Sequence, residues 1–311
     1  AQVPDDIADQ VPDEADDGPT NTNFAPSASD DEFRLPEGGG TLQVDALLAN
    51  DSDPDGDSLS LLSVSGDERV EFLDEYGVVT VDAAAGESVE FDYTIDDQNG
   101  GTATGTATVS IDDARVLVKD NGSVTGTSDE IQNALNDIGN GAVQGDEIVA
   151  GPGDFDPFVI DPGIVSNITL TGAYGGIPGQ ASLRQEGRES NIDASRAGGK
   201  PDAIFVKENN GTVTLDGFNI AETWSRIGIL HPGSQASGTQ LIVENNNIQG
   251  PLTPTANGNA IQITGNDIAR GNLVETGSFP ETSNWSATGI LVERGDSALV
   301  ENNEVVAGSQ T

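Results

Sequence analysis

The chain has 311 residues, of which 53 are Asp or Glu and 12 are Lys or Arg, so its formal net charge at pH 7 is −41. This charge argues against a nucleic-acid partner, because binding to phosphates depends on Lys and Arg, and equally against an anionic membrane surface. The absence of Cys excludes disulfides, thiolate metal sites and a cysteine nucleophile, and a single His excludes a His-rich metal site.

The remaining composition indicates a β-rich, extracellular protein. Gly is abundant at 39 residues and aromatic residues make up 5% of the chain, and the length suits two folded units. No stretch approaches the roughly 18 apolar residues of a membrane-spanning helix, so we expect no membrane insertion. The chain starts at Ala1 and contains no Met, which indicates a processed chain or a fragment. An acidic chain without Cys or Met is typical of a secreted protein, in which salt screens the carboxylates or divalent cations neutralise them.

Residues 1–24 form an acidic segment that contains prolines and no Lys or Arg. Its low apolar content is typical of a disordered linker or tail. We hypothesise that this segment packs along another domain or along a neighbouring subunit.

Residues 25–113 show short alternating apolar runs separated by turn-forming residues, which predicts an all-β sandwich. The pair Asn99-Gly100, followed by Gly101, predicts a tight turn before the last strand. The predicted strands are 41–44, 59–64, 78–81, 89–95 and 101–111.

Two long segments of this region resemble the bacterial cadherin-like tandem domain. They are VDALLANDSDPDGDSLSLLSVS (44–65) and FDYTIDDQNGGTATGTATVSI (91–111), and Ala25-Pro26 and Asp30-Asp31 precede them. The resemblance covers almost the whole domain in the right order, and it implies an Ig/cadherin-like fold. The family is found in large secreted adhesins and surface proteins.

The run Asp51-Ser52-Asp53-Pro54-Asp55-Gly56-Asp57 places four carboxylates at alternate positions, with a Gly for a sharp turn. This pattern suits Ca²⁺, which takes about six to eight oxygen ligands. The run is not an EF-hand loop, because Leu62 stands at the twelfth position and the flanks read as strands. The alternative interpretation is a solvated Asp-rich turn.

The resemblance extends the predicted calcium site to other carboxylates. In the resembled family this motif is associated with calcium at domain edges and junctions, and four further Asp residues occupy matching positions. The predicted metal ligands are therefore Asp51, Asp53, Asp55, Asp57, Asp30, Asp31, Asp96 and Asp97.

Residues 114–311 change character and begin with a helical pattern. Apolar residues at Ile131, Leu135 and Ile138 predict a helix over 128–139 with Ser128 as its N-cap. Beyond it, short β segments recur with Gly or Asn between them, at intervals of 28, 20 and 37 residues counted from Leu215. Such spacing predicts a parallel β-helix whose first coil is capped by the helix. The recurring segments are 214–220, 243–248, 263–268 and 300–305.

Three segments of this region resemble the pectin-lyase-like right-handed parallel β-helix of bacterial surface proteins. They are NITLTGAYGG (167–176), SNIDASRAGG (190–199) and VTLDGFNI (213–220). The resemblance implies the fold but no activity, since this fold hosts lyases, epimerases, adhesins and phage fibres. About five to seven coils are expected and no C-terminal cap is visible, so either the native protein continues or the open end stacks on a partner.

Few residues of the second region are candidates for chemistry. The segment 153–158 resembles the Asp-Pro motif of calcium-dependent uronate epimerases but has Phe158 in place of their His, which favours a turn. His231 is predicted to be an inert surface-loop residue. Three arginines fall in one predicted loop, where they are either solvated or paired with carboxylates of that loop: Arg184, Arg188 and Arg196, with Glu186, Glu189 and Asp193 as the carboxylates. Trp224 and Trp285 lie in predicted loops, where each is either a candidate sugar contact or a cover for the wall of the coil.

These observations predict an all-β protein: an Ig/cadherin-like β-sandwich followed by a right-handed parallel β-helix with a short N-terminal capping helix. The predicted divisions are 1–24, 25–113 and 114–311. We expect no catalytic residues and a secreted or cell-surface structural or adhesive protein. Calcium would stiffen it, and residues 1–24 or the end of the β-helix would join copies into a filament, layer or adhesin stalk. The alternative is a calcium-dependent polysaccharide lyase or epimerase, or a carbohydrate-binding β-helix fragment.

Overall fold

The computed structural model describes most of the chain from residue 23 onward, and the described residues are mainly β-strand. The acidic segment up to residue 22, Trp224 and Trp285 lie outside the described residues. The described residues are 23–161, 165, 167–179, 187–193, 202–207, 210–221, 227–232, 238–250, 258–276, 287–293 and 297–307.

Seven strands form two sheets in the N-terminal part, which we call the sandwich (residues 23–113). One sheet has the order β1-β7-β6-β3 and the other has the order β2-β5-β4, with β1 parallel to β7 and the other pairs antiparallel. The elements are β1 (Asp31–Leu35), β2 (Gly40–Gln43), α1 (Val44–Leu47), β3 (Ser60–Ser65), β4 (Val70–Leu73), a 3₁₀ turn (Asp74–Tyr76), β5 (Val78–Val81), β6 (Ser88–Asp96) and β7 (Thr102–Ile111).

Buried and exposed side chains alternate along β6, which explains how the two sheets share one core. Val89, Phe91, Tyr93 and Ile95 are buried, while the residues between them are exposed or half-buried, as the two-residue period of a strand requires. The buried residues pack against apolar side chains of the opposite sheet, among them Val79 and Val81. The five strands predicted from the sequence are confirmed within one or two residues at each end.

The remaining described residues form the three-sheet unit (residues 114–307). It begins with an antiparallel hairpin and a helix, β8 (Val116–Asp120), β9 (Ser123–Ser128) and α2 (Ile131–Gly139). The later strands are β10 (Glu147–Ala150), β11 (Gly153–Phe155), β12 (Phe158–Ile160), β13 (Ile168–Thr171), β14 (Ser190–Asp193), β15 (Asp202–Val206), β16 (Asn210–Asp216), β17 (Asn219–Ala221), β18 (Ile227–Leu230), β19 (Gly238–Glu244), β20 (Asn247–Gln249), β21 (Gly258–Thr264), β22 (Ile268–Arg270), β23 (Leu273–Glu275), β24 (Ala287–Glu293), β25 (Leu299–Glu301) and β26 (Glu304–Val306).

From β10 onward the chain visits three sheets in a fixed order, and we call one passage through all three sheets a coil. Every third strand belongs to the same sheet, and neighbouring strands from β10 onward are parallel. The first sheet also carries the β8–β9 hairpin at one edge. Side chains at equivalent positions stack in one buried core, as shown by Ile148, Leu170, Leu215, Val243 and Ala269.

The register corrects one of the predicted repeats. Leu215 and Val243 are equivalent as expected, but the next equivalent residue is Ala269, followed by Val300, so the intervals are 28, 26 and 31 residues. The predicted repeat 263–268 lies at a different corner, between β21 and β22. The error has a physical origin: Gly and Asn occur at more than one corner of each coil, so the corners look alike in sequence.

The helix α2 starts three residues later than predicted. Ser128 ends β9, and its hydroxyl accepts a hydrogen bond from the Glu130 amide at 3.3 Å, so Ser128 forms a local turn and Glu130 is the N-cap residue. The apolar side of α2 joins the core of the three-sheet unit through Ile131, Ala134 and Leu135.

The corner between the first and the second sheet has the same structure in successive coils. A residue with positive φ comes first, and the residue after it packs against its equivalent in the next coil. Asn246 and Asn272 are buried in successive coils, and the Asn272 Oδ1 atom accepts from the Asn246 amide at 2.9 Å. Asn303 repeats the arrangement one coil later, accepting from the Asn272 amide at 3.0 Å. The residues with positive φ that precede the four equivalent corners are Gly217, Asn245, Gly271 and Asn302.

The sandwich and the three-sheet unit touch well away from the link between them. Ala173, Tyr174 and Ile177 form an apolar cluster with Val78 of β5. The Arg188 side chain donates to the Gly38 carbonyl at 2.9 Å and forms an ion pair with Asp82. This contact corrects the prediction that Arg188 pairs within its own loop, because its partners belong to the sandwich.

Candidate metal centre

The Asp-rich run lies in the loop between α1 and β3, at one end of the sandwich. A two-residue antiparallel bridge fixes the loop: Ser27 donates to the Ser52 carbonyl at 2.8 Å, and Ser52 donates to the Ser27 carbonyl at 3.1 Å. The start of the described chain therefore runs beside the loop, where the Phe24 amide donates to Asp55 Oδ2 at 2.6 Å.

Asp53, Asp55 and Asp57 converge in this loop, with one carboxylate oxygen from each lying within 4.8 Å of the others. Asp53 Oδ1 shapes the turn by accepting from the amides of Asp55 at 2.7 Å and Asp57 at 3.2 Å. Asp53 Oδ2 is buried and has no hydrogen-bond partner. The loop turns sharply at Gly56, whose φ of +78° is disfavoured for residues with a Cβ.

This donor set fits a hard divalent cation. Ca²⁺ binds carboxylate oxygens in flexible geometries, and alternate Asp residues in a tight turn supply them. The buried Asp53 Oδ2 atom has neither water access nor a protein donor, which is costly for a charged oxygen unless something else binds it.

Asp31 and Asp51 form a second group around the buried side chain of Tyr93. The Tyr93 hydroxyl donates to the Ser29 carbonyl at 2.6 Å and lies 3.2 Å from Asp51 Oδ1. Burial and the negative charge of Asp51 raise the pKa of Asp31 overall, although the nearby Tyr93 hydroxyl and the Asn50 side chain, which donates to Asp31 Oδ1 at 3.0 Å, act in the opposite direction. Asp31 Oδ2 is a second buried oxygen without a hydrogen-bond partner.

Asp30, Asp96 and Asp97 each have protein donors. Asp30 accepts from the Thr106 amide at 3.1 Å, and Asp96 accepts from the Ser60 hydroxyl at 2.7 Å. Asp97 is 1% exposed and organises the β6–β7 turn by accepting from the amides of Asn99 at 2.8 Å and Gly101 at 2.9 Å.

The pKa of Asp97 reflects these opposing effects. Burial raises the pKa, but hydrogen bonds from the Asn23 side chain and from the turn amides outweigh burial and lower it overall. A Cβ at Gly101 would overlap Asp97 Oδ2, so the turn needs Gly at this position. Because Asn23 binds Asp97 and Phe24 binds Asp55, the first described residues connect this turn to the Asp-rich loop.

Of the eight predicted ligands, the described residues bring three into one cluster and place Asp31 and Asp51 beside Tyr93. Tyr93 was not among the predicted site residues. Its position in the alternating strand β6 predicts a core residue, and only the fold shows that its hydroxyl reaches the carboxylates.

His231 is buried, so its prediction as a surface-loop residue is wrong. It is 1% exposed, and its Nδ1 atom lies 2.7 Å from Oδ2 of the fully buried Asp267. Asp267 also accepts from the amides of Leu241 at 2.8 Å and Thr264 at 2.9 Å. Asp267 therefore connects His231, which follows β18, with β19 and β21.

The segment 153–158 forms β11, a corner and the start of β12, as the turn interpretation expects. Phe155 and Phe158 both point into the core, and the Arg115 guanidinium lies 4.3 Å from the centre of the Phe155 ring. The candidate sugar contacts Trp224 and Trp285 lie outside the described residues.

Comparison with known proteins identifies the sandwich. Searches of curated proteins and of solved structures gave no match. In the described part of the chain, no helix has the length and apolar character needed to cross a membrane. Residues 23–110 match the family model described as bacterial Ig domain, which confirms the Ig-like part of the prediction. An Ig-like domain of this kind is consistent with a cell-surface adhesive protein.

Proposed function

We propose that this chain is a secreted or cell-surface structural protein with an adhesive role, in which calcium stiffens the Ig-like sandwich. The proposal rests on one observation: a carboxylate oxygen from each of Asp53, Asp55 and Asp57 lies within 4.8 Å of the other two, and Asp53 Oδ2 has no hydrogen-bond partner. Three carboxylates at such distances repel one another, and a divalent cation would remove that repulsion and cross-link the loop.

The remaining predicted ligands would complete this site or a second one. Asp31 is the stronger candidate, because its Oδ2 atom is buried without a hydrogen-bond partner. Asp51 lies beside it around Tyr93 and accepts from the Ser29 amide at 2.8 Å. Asp30, Asp96 and Asp97 would act mainly by holding the surrounding turns in place, as their protein donors indicate.

We propose that the three-sheet unit is a right-handed parallel β-helix and that α2 caps its first coil. The strict order of visits to the three parallel sheets supports the helix. Right-handed connections strongly predominate between parallel strands, which supports the handedness. The burial of Ile131, Ala134 and Leu135 in the same core supports the cap.

A structural rather than catalytic role fits the described polar groups. The only imidazole of the chain is buried against Asp267 and cannot reach a substrate from there. Lys207 is ion-paired with Asp161 at 2.9 Å and Arg270 with Glu244 at 2.6 Å, as is common for charged side chains at a protein surface.

We also propose that copies associate through residues 1–24 or through the β24–β26 end of the unit. Apolar side chains concentrate at that end: Leu299, Val300, Val305 and Val306 are between 42% and 51% exposed. Sedimentation velocity in EDTA and in millimolar calcium tests this. We expect larger species in calcium that Val305→Lys reduces, whereas Leu62→Lys on the sandwich does not; a monomer in every condition would contradict association.

Scanning calorimetry of the full chain in EDTA and in calcium tests the metal site. At a calcium concentration 100 times Kd, binding stabilises by about 2.7 kcal/mol, which corresponds to a rise of about 10 °C or more in the melting temperature of a domain this size. Asp53→Asn should abolish most of the rise, because the amide keeps an acceptor for the turn but loses the carboxylate that faces the cation.

The matched control is Asp113→Asn, which removes the same charge from an exposed position of the sandwich. This variant should keep the full calcium response. An unchanged melting temperature in calcium, or an equal loss of response in both variants, would contradict the proposed site.

A further inference from the structure

The two ends of the three-sheet unit differ in how their strand edges are covered. At the first end, the Val159 amide of β12 donates to Gln132 Oε1 at 2.8 Å, and Gln132 Nε2 donates to the Val159 carbonyl at 3.3 Å. The Asp156 amide donates to Glu130 Oε2 at 3.1 Å, and the β8–β9 hairpin covers the edge of the first sheet. These contacts protect the first end from pairing with a further strand.

The β24–β26 end has no such cover in the part of the chain that the structure describes. β24, β25 and β26 are the last strands of the three sheets, so each has one edge without a neighbouring strand. The exposed apolar side chains of β25 and β26 lie at the same end. An unpaired strand edge beside apolar side chains is a template for the addition of another strand.

The asparagine stack shows what an added coil should carry. The amides of Asn246 and Asn272 each donate to the Oδ1 atom of the asparagine one coil later. Asn303 is the last member of the stack, so its amide has no following asparagine among the described residues. Carbonyls of the preceding coil accept from the Asn272 and Asn303 side chains at 2.9 and 2.8 Å, and Val300 provides the next equivalent carbonyl. An asparagine in an added coil would gain both hydrogen bonds.

A column of charged side chains gives a second requirement. Glu244, Arg270 and Glu301 occupy equivalent positions in three successive coils, and Arg270 Nε donates to Glu244 Oε2 at 2.6 Å. Arg270 is the last Lys or Arg among the described residues, whereas Glu293, Glu301 and Glu304 are exposed at this end. A Lys or Arg above Glu301 would continue the alternation of charges. The same end of a second copy would instead bring carboxylates against carboxylates.

We propose that the β24–β26 end binds a coil of another polypeptide chain by strand pairing, with an asparagine of that coil on Asn303 and a Lys or Arg on Glu301. This inference rests on the proposed parallel β-helix, and it names the partner that fits this end better than a second copy does. Calcium would screen the carboxylates and let copies meet there through apolar contacts alone. The cationic coil would displace those copies, because it adds the ion pair and the asparagine bonds.

The chain itself supplies the probe, a synthetic peptide of residues 258–275, which is one complete coil with Arg270 and Asn272 at the required positions. Fluorescence anisotropy of the labelled peptide, titrated with the full chain in EDTA at low salt, should show saturable binding. The Arg270→Glu peptide should bind about tenfold more weakly, because attraction to Glu301 becomes repulsion. The Asn272→Ala peptide should also lose about tenfold, because two hydrogen bonds are lost. Both changes leave the protein itself unaltered, so no folding defect can explain them.

A charge swap tests the register of the added coil. The Glu301→Arg chain should prefer the Arg270→Glu peptide to the unaltered peptide, since the pair then has opposite charges again. The matched control is Glu90→Arg, which makes the same change at an exposed position of the sandwich and should bind each peptide as the parent does.

Three outcomes separate this inference from the association of copies. No saturable binding of the unaltered peptide, or equal binding of all three peptides, would overturn the inference. Copies that associate in calcium and are not displaced by the unaltered peptide would also overturn it, while the proposed association would stand. Peptide binding with the expected preferences by a chain that stays monomeric in calcium would support the inference and contradict only that association.

Discussion

Replacing Asn272 with Ala removes the middle member of the asparagine stack in the three-sheet unit. The Asn272 side chain donates to the Val243 carbonyl at 2.9 Å and to Asn303 Oδ1 at 2.8 Å. Its Oδ1 atom accepts from the Asn246 amide at 2.9 Å and from the Asn246 side chain at 3.1 Å. The residue is 1% exposed, so water cannot replace these bonds.

The expected loss in the free energy of unfolding follows from the polar groups that Asn272→Ala leaves without a partner. The buried Asn246 amide loses its acceptor, which costs about 1–3 kcal/mol, and each other lost hydrogen bond costs about 0.5–1.5 kcal/mol. We therefore expect Asn272→Ala to lower the free energy of unfolding by about 3 kcal/mol or more. For a unit of this size that corresponds to a fall of about 6–12 °C in melting temperature.

Asn247→Ala is the matched control from the same stack of coils. Asn247 is almost equally buried at 4% exposure, but its Oδ1 atom has no hydrogen-bond partner. Truncation therefore removes an unsatisfied acceptor, and we expect a cost of about 1 kcal/mol or less.

Urea unfolding followed by tryptophan fluorescence measures both variants. Both tryptophans of the chain, Trp224 and Trp285, fall in the sequence range of the three-sheet unit, so the signal reports on that unit. The slope of the free energy against urea should stay unchanged while the midpoint falls. Equal midpoint shifts for Asn272→Ala and Asn247→Ala would refute the reasoning, because burial alone would then explain both.

Two further predictions concern the sandwich. Arg188→Ala removes the ion pair to Asp82 and the bond to the Gly38 carbonyl, and calorimetry should show the sandwich and the three-sheet unit melting further apart; one unchanged transition would contradict this coupling. The Arg69 side chain lowers the pKa of Asp67 to about 2, below the unfolded value of about 3.9. The ionised Asp67 carboxylate therefore stabilises the folded sandwich above pH 4, and this stabilisation is lost as the pH falls towards 2. Asp67→Asn should therefore lower the urea midpoint at pH 6 and converge with the parent near pH 2, and parallel curves would contradict the assignment.

The sandwich could be predicted closely because its signals are local. Strict alternation in β6 and β7 and the turn residues at Asn99 and Gly100 are visible in the sequence, and they are enough to place the strands. The loop carboxylates Asp53, Asp55 and Asp57 are also close in sequence, so their convergence follows from one tight turn.

The three-sheet unit was harder to predict because its determinants are non-local. Which residue lies above Val243 depends on the length of each intervening loop, and a corner with Gly and Asn recurs at several places in one coil. The partner of His231 is 36 residues away, at the start of another strand, so neither its burial nor its bond to Asp267 is visible from the neighbouring sequence.

The parallel pairing of β1 with β7 determines how the sandwich would respond to mechanical tension. The two strands are aligned from Asp31 beside Ala107 to Leu35 beside Ile111. The chain enters β1 at one end of this pair and leaves β7 at the opposite end. A pulling force between residues 23 and 113 would therefore load all the ladder hydrogen bonds together in shear, instead of opening them one after another like a zipper.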